Sequence, residues 1–209
     1  MQLLHIDSSI SQEASASRLL TASLVREWRT REPGIRVVYR DLAADSLPHV
    51  ALVSLPSRTA VSEVMTQVQR RDRALTEKLL REFLDSDVVV IGAPMYNFGL
   101  PTQLKAWVDR VVQAGYTFRY TENGPEGLVA EKKVVIVSTR GGIYAGESPY
   151  AVMDFQERYL ISVLAFIGIS DPVVVRAEGL AISPEQREQS MRNAHESIRS
   201  VVFKAGAAA

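Results

Sequence analysis

Four consecutive apolar residues, Val88 to Ile91, place the tightest constraint on how this chain folds. A short, wholly apolar run bounded by turn residues predicts a strand that is buried on both faces, as in a parallel sheet. A polar and aromatic loop, Met95 to Phe98, follows, and a helix is predicted from Pro101, with Leu104 and Trp107 on its apolar face. Ligands of open α/β sheets bind just beyond the carboxyl ends of such strands. The loop is therefore the first candidate site.

The same pattern of an apolar strand and an amphipathic helix occurs five times. A helix is predicted from about Ser15 to Pro33, another from about Glu63, and a capped one from Ser183. Strand and helix in alternation imply a parallel sheet covered on both faces. We predict one flavodoxin-like domain, residues 1–209, built as a three-layer sandwich with a five-stranded parallel sheet in the order 2-1-3-4-5. Its strands are predicted at Leu3 to Ile6, Ile35 to Tyr39, Val88 to Ile91, Val134 to Val137 and Val173 to Val175.

The composition argues against several classes of function. Lys and Arg balance Asp and Glu at 24 each, so the charge favours neither a nucleic acid nor a membrane surface as partner. Cysteine is absent, which excludes disulfides and thiolate catalysis and fits a reducing cytoplasm. The three histidines, His5, His49 and His195, lack metal-ligand spacing, so no metal site is predicted. The N-terminus reads as a strand rather than a signal peptide, and no apolar stretch reaches the length of a membrane span, so we expect a cytoplasmic protein.

The loop after the first strand, Ser8 to Ser17, is a candidate phosphate site and is called the serine loop below. Ser9, Ser15 and Ser17 offer hydroxyl groups, and a helix that begins there presents free N–H groups and a partial positive charge. Arg18 either adds a positive charge or points to solvent. No Walker pattern or G-x-G-x-x-G is present, so a P-loop and a dinucleotide fingerprint are not supported. The serines can equally be helix caps and loop formers.

Two further loops suit a planar ring. Met95 to Phe98 offers apolar surface and backbone amides near Asn97, and Thr139 to Gly142 lets a ligand approach the backbone through two glycines. Each loop alone can also be an ordinary turn. Together with the serine loop they form a pocket for one phosphate and one flat ring, which matches FMN and nearly as well a mononucleotide substrate. No catalytic triad or acid/base pair is visible, as expected where a bound cofactor supplies the chemistry.

Several motifs carry a resemblance to a known family. The chain resembles the FMN-dependent NADH-azoreductases, also called FMN-dependent NADH:quinone oxidoreductases, over essentially its whole length. Ser8-Ser9 and Ser15-Ala16-Ser17 fit the pattern as well. The main motifs are Ala93-Pro-Met-Tyr-Asn-Phe98, Thr102-Gln-Leu-Lys105, Thr117-Phe-Arg-Tyr-Thr-Glu-Asn-Gly-Pro-Glu-Gly-Leu128, Ser138-Thr-Arg-Gly-Gly142 and Phe166-Ile-Gly-Ile169.

The resemblance implies bound FMN, with NADH or NADPH as electron donor. It implies a ping-pong reaction in which hydride passes to FMN and two electrons then reach a quinone or an azo compound, so no side chain is predicted as catalytic. It also implies a homodimer with active sites at the interface and a substrate pocket containing Phe98, Tyr120 and Phe166. The implied cofactor-binding residues are Ser9, Ser15, Ala16, Ser17, Met95, Tyr96, Asn97, Phe98, Thr139, Arg140, Gly141 and Gly142.

Some features leave alternatives open. The segments Ile143 to Tyr150 and Leu47 to Met65 differ from some family members and border the implied pocket, so they bear on substrate preference. The apolar run Leu160 to Ile169 suits either a dimer surface or a helix buried in its own domain. A flavodoxin-type electron carrier without its own NAD(P)H turnover is the alternative function, although the balanced charge argues against an acidic docking surface. A non-redox nucleotide-binding module is a further alternative.

Overall fold

A computed structural model describes residues 1–57 and 65–206 of the chain. The seven strands in these ranges are β1 (Gln2–Asp7), β2 (Arg36–Asp41), β3 (Val88–Pro94), β4 (Phe118–Thr121), β5 (Gly124–Gly127), β6 (Lys133–Thr139) and β7 (Val173–Ala177). The five α-helices in the same ranges are α1 (Ala16–Arg31), α2 (Gln67–Leu84), α3 (Thr102–Val111), α4 (Gln156–Phe166) and α5 (Pro184–Gly206).

Five of the strands form one parallel sheet in the order β2-β1-β3-β6-β7. The predicted five-stranded parallel sheet is therefore confirmed. The fourth and fifth strands of the predicted order are β6 and β7, because β4 and β5 form a separate antiparallel hairpin. After β1 the chain forms β2 on one side of that strand, and the next strand of the sheet, β3, lies on the other side of β1. This reversal opens a crevice at the carboxyl ends of β1 and β3.

Helices cover both faces of the sheet. On one face, α2, α3 and α4 bury apolar side chains such as Phe83, Trp107 and Leu160 against the strands. On the other face, α1 and α5 bury Trp28 and Ile198. Strand residues alternate between the two cores, as the twofold repeat of a strand requires. Helices thus cover both faces of the sheet, so a ligand site is expected at the loops along its carboxyl edge.

Several element boundaries differ from the predicted ones. The expected start of α2 at Glu63 lies outside the described residues, and α2 begins at Gln67, where Thr66 and Gln69 form reciprocal capping bonds. Helix α3 ends at Val111 rather than at Gly115, which lies in the following turn with φ of +82°. The predicted cap of α5 is confirmed, because the Gln186 amide donates to Ser183 Oγ at 3.2 Å.

Across the described residues, no helix combines the length and apolar character that crossing a membrane requires.

Candidate functional site

The three candidate loops meet at the carboxyl edge of the sheet. The amide of Met95, just after β3, donates to the carbonyl of Thr139 at the end of β6 at 2.8 Å. The hydroxyl of Ser8, just after β1, donates to the carbonyl of Gly92 in β3 at 2.6 Å. Neighbouring parallel strands thus bring together loops that are far apart in the sequence. The fold therefore gathers the predicted site segments into one region.

The serine loop leads directly into the N-terminus of α1. Ser15 caps this helix, since its Oγ accepts a hydrogen bond from the Arg18 amide at 3.3 Å. The hydroxyl oxygens of Ser15 and Ser17 lie 3.0 Å apart. Ala16 opens the first turn, whose amides have no partner within the helix. Hydroxyls and free amides at the positive end of a helix form a donor set that suits an anion.

Arg18 occupies neither of the two positions expected from the sequence. Its guanidinium forms a two-pronged ion pair with Asp41 at the end of β2, with N–O distances of 2.6 and 2.7 Å. Its Nε and Nη2 atoms donate to the carbonyl oxygen of Ser9 at 3.3 and 2.9 Å. The charge is thus engaged by a carboxylate rather than facing solvent. Sequence spacing could not reveal this, because Asp41 belongs to a different strand.

A buried carboxylate, Asp7, lies beneath the serine loop. Thr21 and Tyr39 donate hydrogen bonds to it at 2.8 and 3.0 Å, and His5 Nε2 lies 3.5 Å away. Burial alone would raise the pKa of Asp7, but its interaction with His5 and the hydrogen bonds from Thr21 and Tyr39 outweigh burial and lower the pKa. Burial, together with the negative charge of Asp7, raises the pKa of Tyr39 to about 12. Sequence reasoning missed this cluster, because its members resemble ordinary strand and helix residues.

The loop after β3 contains a strained turn. Asn97 and Phe98 have φ values of +47° and +68°, a left-handed conformation that non-glycine residues seldom adopt. Tyr96 and Gly99 exchange two backbone hydrogen bonds of 3.0 Å around them. Two central residues with positive φ are typical of a type I′ turn. Strain of this kind clusters at ligand-binding positions, and both side chains are exposed.

Tyr96 connects this turn to the serine loop. Its hydroxyl oxygen lies 3.1 Å from Ser9 Oγ and accepts a hydrogen bond from the Ile10 amide at 3.1 Å. The two loops are thus joined at the crevice between β1 and β3.

Arg140, one of the implied cofactor-binding residues, has a side chain that is fully buried among carboxylates. It lies 2.9 Å from Asp154, 2.6 Å from Glu157 and 3.1 Å from Glu178, measured between nitrogen and oxygen atoms. Its amide donates to the carbonyl of Ala177, within the sheet edge. The guanidinium is thus engaged by carboxylates and supports the loop, while a contact of Arg140 with the ring stays a prediction.

Glu178 transmits this support to the loop after Gly142. One of its carboxylate oxygens accepts hydrogen bonds from the amides of Tyr144 and Ala145 at 2.8 and 3.1 Å. The Tyr144 ring packs so closely on Gly142 that a Cβ there would lie 3.1 Å from it. The rings of Tyr144 and Phe98 meet edge to face with centroids 6.2 Å apart. Tyr144 thus lies against two of the candidate loops, within the segment Ile143 to Tyr150 that the sequence indicated as bordering the pocket.

An open cavity of about 740 Å³ lies beside these aromatic rings. Phe98 and Gly142 link it to the predicted ring-binding loops, and the loop after Gly142 forms most of its wall. Its lining is mainly apolar and aromatic, as is typical of a site for a flat organic molecule. The lining residues are Phe98, Gly142, Ile143, Tyr144, Glu147, Ser148, Pro149, Tyr150, Met153 and Ile182.

The three residues of the implied substrate pocket do not meet within one chain. Phe98 accepts a backbone hydrogen bond from Phe155 at the start of α4, whereas Phe166 is the last residue of that helix. Phe118 joins Phe166 to Tyr120 through ring contacts of 4.6 and 5.4 Å. Eleven helical residues span roughly 16 Å, so the two groups lie at opposite ends of α4. Tyr120 and Phe166 are both solvent-exposed.

The residues present fit a mononucleotide that carries a planar ring. Hydroxyls of Ser9, Ser15 and Ser17 at a helix N-terminus suit its phosphate, and the turn at Asn97 and the glycine pair at 141–142 suit its ring. A sequence profile described as the flavodoxin-like fold matches residues 1–202. The chain belongs to this flavodoxin-like family.

The chain is similar to proteins named as FMN-dependent NADH:quinone oxidoreductases and as azoreductases. The chain is 51% identical over 209 residues to an FMN-dependent NADH:quinone oxidoreductase of Ralstonia nicotianae, with 100% of both chains covered. It is 54% identical over 198 residues to FMN-dependent NADH:quinone oxidoreductase 2 of Pseudomonas aeruginosa, covering 95% of this chain and 96% of that one. The crystal structure of an azoreductase from Bacillus anthracis str. Sterne superposes with a TM-score of 0.86 at 28% identity, covering 98% of this chain and 99% of that one.

Proposed function

We propose that this chain is an FMN-dependent oxidoreductase that uses NADH or NADPH to reduce quinones to hydroquinones and to cleave azo compounds reductively, in two-electron steps. The observation that carries this proposal is the meeting of the serine loop and the strained Asn97–Phe98 turn at the Ser9–Tyr96 contact. The sequence identity of 51% to the Ralstonia enzyme also supports the proposed activity.

Each loop has a distinct proposed task. The hydroxyls of Ser9, Ser15 and Ser17 and the amides of Ala16 and Ser17 hold the FMN phosphate. The ring is held by Met95, Tyr96, Asn97 and Phe98 on one side and by the loop Thr139, Arg140, Gly141 and Gly142 on the other. When bound, FMN supplies the redox chemistry by accepting hydride from NAD(P)H and delivering two electrons to the acceptor. The chain itself binds, orients and partly shields the reacting ring.

We further propose that the enzyme acts as a cytoplasmic homodimer with both active sites at the interface. In this arrangement Tyr120 and Phe166 of one protomer complete the acceptor pocket beside Phe98 of its partner. The support is the separation of these residues along α4 within one chain, together with their exposure. Exposed aromatic residues are enriched at protein interfaces, where they contribute large apolar contacts.

Mixing two variants, each impaired in a different half of the site, tests the shared site. Asn97→Ala is designed to weaken the flavin half and Tyr120→Ala the acceptor half. When the two variants are refolded together, a hybrid dimer contains one site with both halves intact if the halves come from different chains. We expect quinone reductase activity to reappear on mixing and light scattering to give the mass of a dimer. A monomer, or a mixture as inactive as its components, contradicts the shared site.

The activity itself is tested with purified protein, added FMN and NADH. We expect a yellow holoprotein whose flavin absorbance bleaches under anaerobic conditions and returns when benzoquinone is added. Comparing NADH with NADPH across a panel of quinones and azo dyes then identifies the preferred donor and acceptor. Failure to bind FMN, or failure to consume NADH with benzoquinone, contradicts the proposed function.

A further inference from the structure

We propose that Arg18 is a positioning residue for the serine loop. It acts by holding Ser9 in place rather than by contacting phosphate. The inference rests on the proposed function, because it assumes that this loop receives the FMN phosphate. Arg18 joins three parts of the fold: it lies in α1, its guanidinium donates twice to the Ser9 carbonyl after β1, and it pairs with Asp41 at the end of β2.

The charge of Arg18 is already compensated. Asp41 engages it through two N–O contacts of 2.6 and 2.7 Å, and a carboxylate oxygen of buried Asp7 lies 3.9 Å from Nη1. The hydroxyl of Tyr39 accepts a further hydrogen bond from Nη1 at 3.2 Å. Two carboxylates around one guanidinium leave no net positive charge at this position. A phosphate that replaced Asp41 would leave that carboxylate without its cation, which is unfavourable for a partly buried group.

The anchoring partner is itself rigidly held. Asp41 Oδ1 accepts hydrogen bonds from the amides of Ala43 and Ala44 at 3.0 and 3.1 Å, so its carboxylate is oriented by the turn after β2. The hydrogen bond from Arg18 is the main cause that lowers the pKa of Asp41, so the pair remains charged at neutral pH. Arg18 therefore connects the Ser9 backbone to a fixed point on the neighbouring strand.

Fixing the Ser9 carbonyl also fixes the donors that follow it. Ser9 Oγ accepts from the Ser11 amide at 3.2 Å and lies 3.1 Å from the Tyr96 hydroxyl. Release of the carbonyl would let the loop adopt other conformations, which would have to be ordered again whenever the phosphate binds. The cost falls mainly on the phosphate, because Ser9 belongs to the loop that receives it and reaches the ring-binding residues only indirectly, through the Tyr96 hydroxyl. A flavin without phosphate should therefore depend on Arg18 much less than FMN does.

Comparing FMN with riboflavin, which lacks the phosphate, tests the inference without any turnover. Binding is measured by quenching of flavin fluorescence when the flavin-free protein is titrated. We expect Arg18→Met to weaken FMN binding about tenfold while changing riboflavin binding less than about twofold. Arg26→Met, the same substitution at an exposed position of α1, is the matched control and should leave both affinities unchanged. Equal weakening for FMN and riboflavin would overturn the inference, since it would indicate general disruption of the site.

Asp41→Asn separates positioning from direct contact. If Arg18 positions Ser9, loss of the anchor should weaken FMN binding and leave riboflavin binding nearly unchanged. If Arg18 bound phosphate directly, freeing its charge from Asp41 would strengthen FMN binding, and this result would overturn the inference. Because Asp41→Asn keeps the guanidinium, it also provides a second variant if Arg18→Met folds poorly. A protein that shows these affinities but consumes no NADH would refute the proposed oxidoreductase activity and leave the role of Arg18 intact.

Discussion

The hydroxyl oxygens of Ser9 and Tyr96 lie 3.1 Å apart, although 87 positions separate the two residues in the chain. One belongs to the loop after β1 and the other to the loop after β3, so the contact joins the proposed phosphate and ring sites. Because β1 and β3 are adjacent parallel strands, this link follows directly from the strand order. The contact makes the two loops a single unit before any ligand binds.

Removal of the Tyr96 hydroxyl should lower stability and flavin affinity together. Tyr96→Phe leaves the Ile10 amide without its acceptor, so we expect the free energy of unfolding in urea to fall by about 1 kcal/mol. FMN titration of the same variant should show weaker binding. Tyr116→Phe, at an exposed tyrosine away from the proposed flavin site, is the control. An equal effect of both substitutions would show that the Ser9 link has no special role.

Two substitutions of Asn97 distinguish its backbone from its side chain. Asn97→Ala must adopt φ near +47° without the local hydrogen bonding that makes asparagine tolerant of this region, which costs about 1–2 kcal/mol. Asn97→Gly adopts the same conformation freely. We expect Asn97→Ala to weaken FMN binding and Asn97→Gly to do so less, as measured by fluorescence titration. Unchanged affinity and unchanged turnover in Asn97→Ala would refute the placement of this residue in the site.

The buried ionic cluster at Arg140 should be critical for folding. Arg140→Met leaves Asp154 and Glu178 without their buried cation, and breaking such a cluster costs about 3–5 kcal/mol in the free energy of unfolding. Urea denaturation measures the loss. Arg119→Met removes an exposed ion pair with Glu126 and should change stability little. Similar losses in the two variants would mean that burial of Arg140 contributes nothing.

Asp7 should add an acid-sensitive component to stability. Its pKa in the folded chain lies below the ordinary value of 3.8, so its stabilising contribution is complete above that value and is lost as the pH falls through the folded pKa. We expect Asp7→Asn to be less stable than the wild type at pH 6, and the gap to narrow below pH 3.8. Urea denaturation across this range checks the trend, with exposed Asp45→Asn as control. A gap that widened on acidification would contradict the sign of the shift.

Much of the fold was predictable because the information is local. Wholly apolar runs such as Val88 to Ile91 indicated buried strands, and helical spacing indicated the helices between them. Boundaries were less accurate: α3 was expected to continue to Gly115 but ends at Val111. Helix ends depend on the tertiary contacts of the last turn, which periodicity does not contain.

The sequence alone determined the class of fold, the five-stranded parallel sheet and which loops lie at its carboxyl edge. Strand burial and turn formation depend on residues that are close together in the chain, so local patterns predict them. Only the tertiary structure decided where the charged side chains lie. Arg18 pairs with Asp41 and Arg140 with Glu178, and both partners are on other elements of the fold. It also decided that Phe98 lies at the opposite end of α4 from Phe166, because the direction of a helix across a sheet is a property of the assembled layers. The Met95 to Phe98 loop was recognisable in the sequence, whereas the ion pairs of Arg18 and Arg140, which support the two adjacent loops, were not.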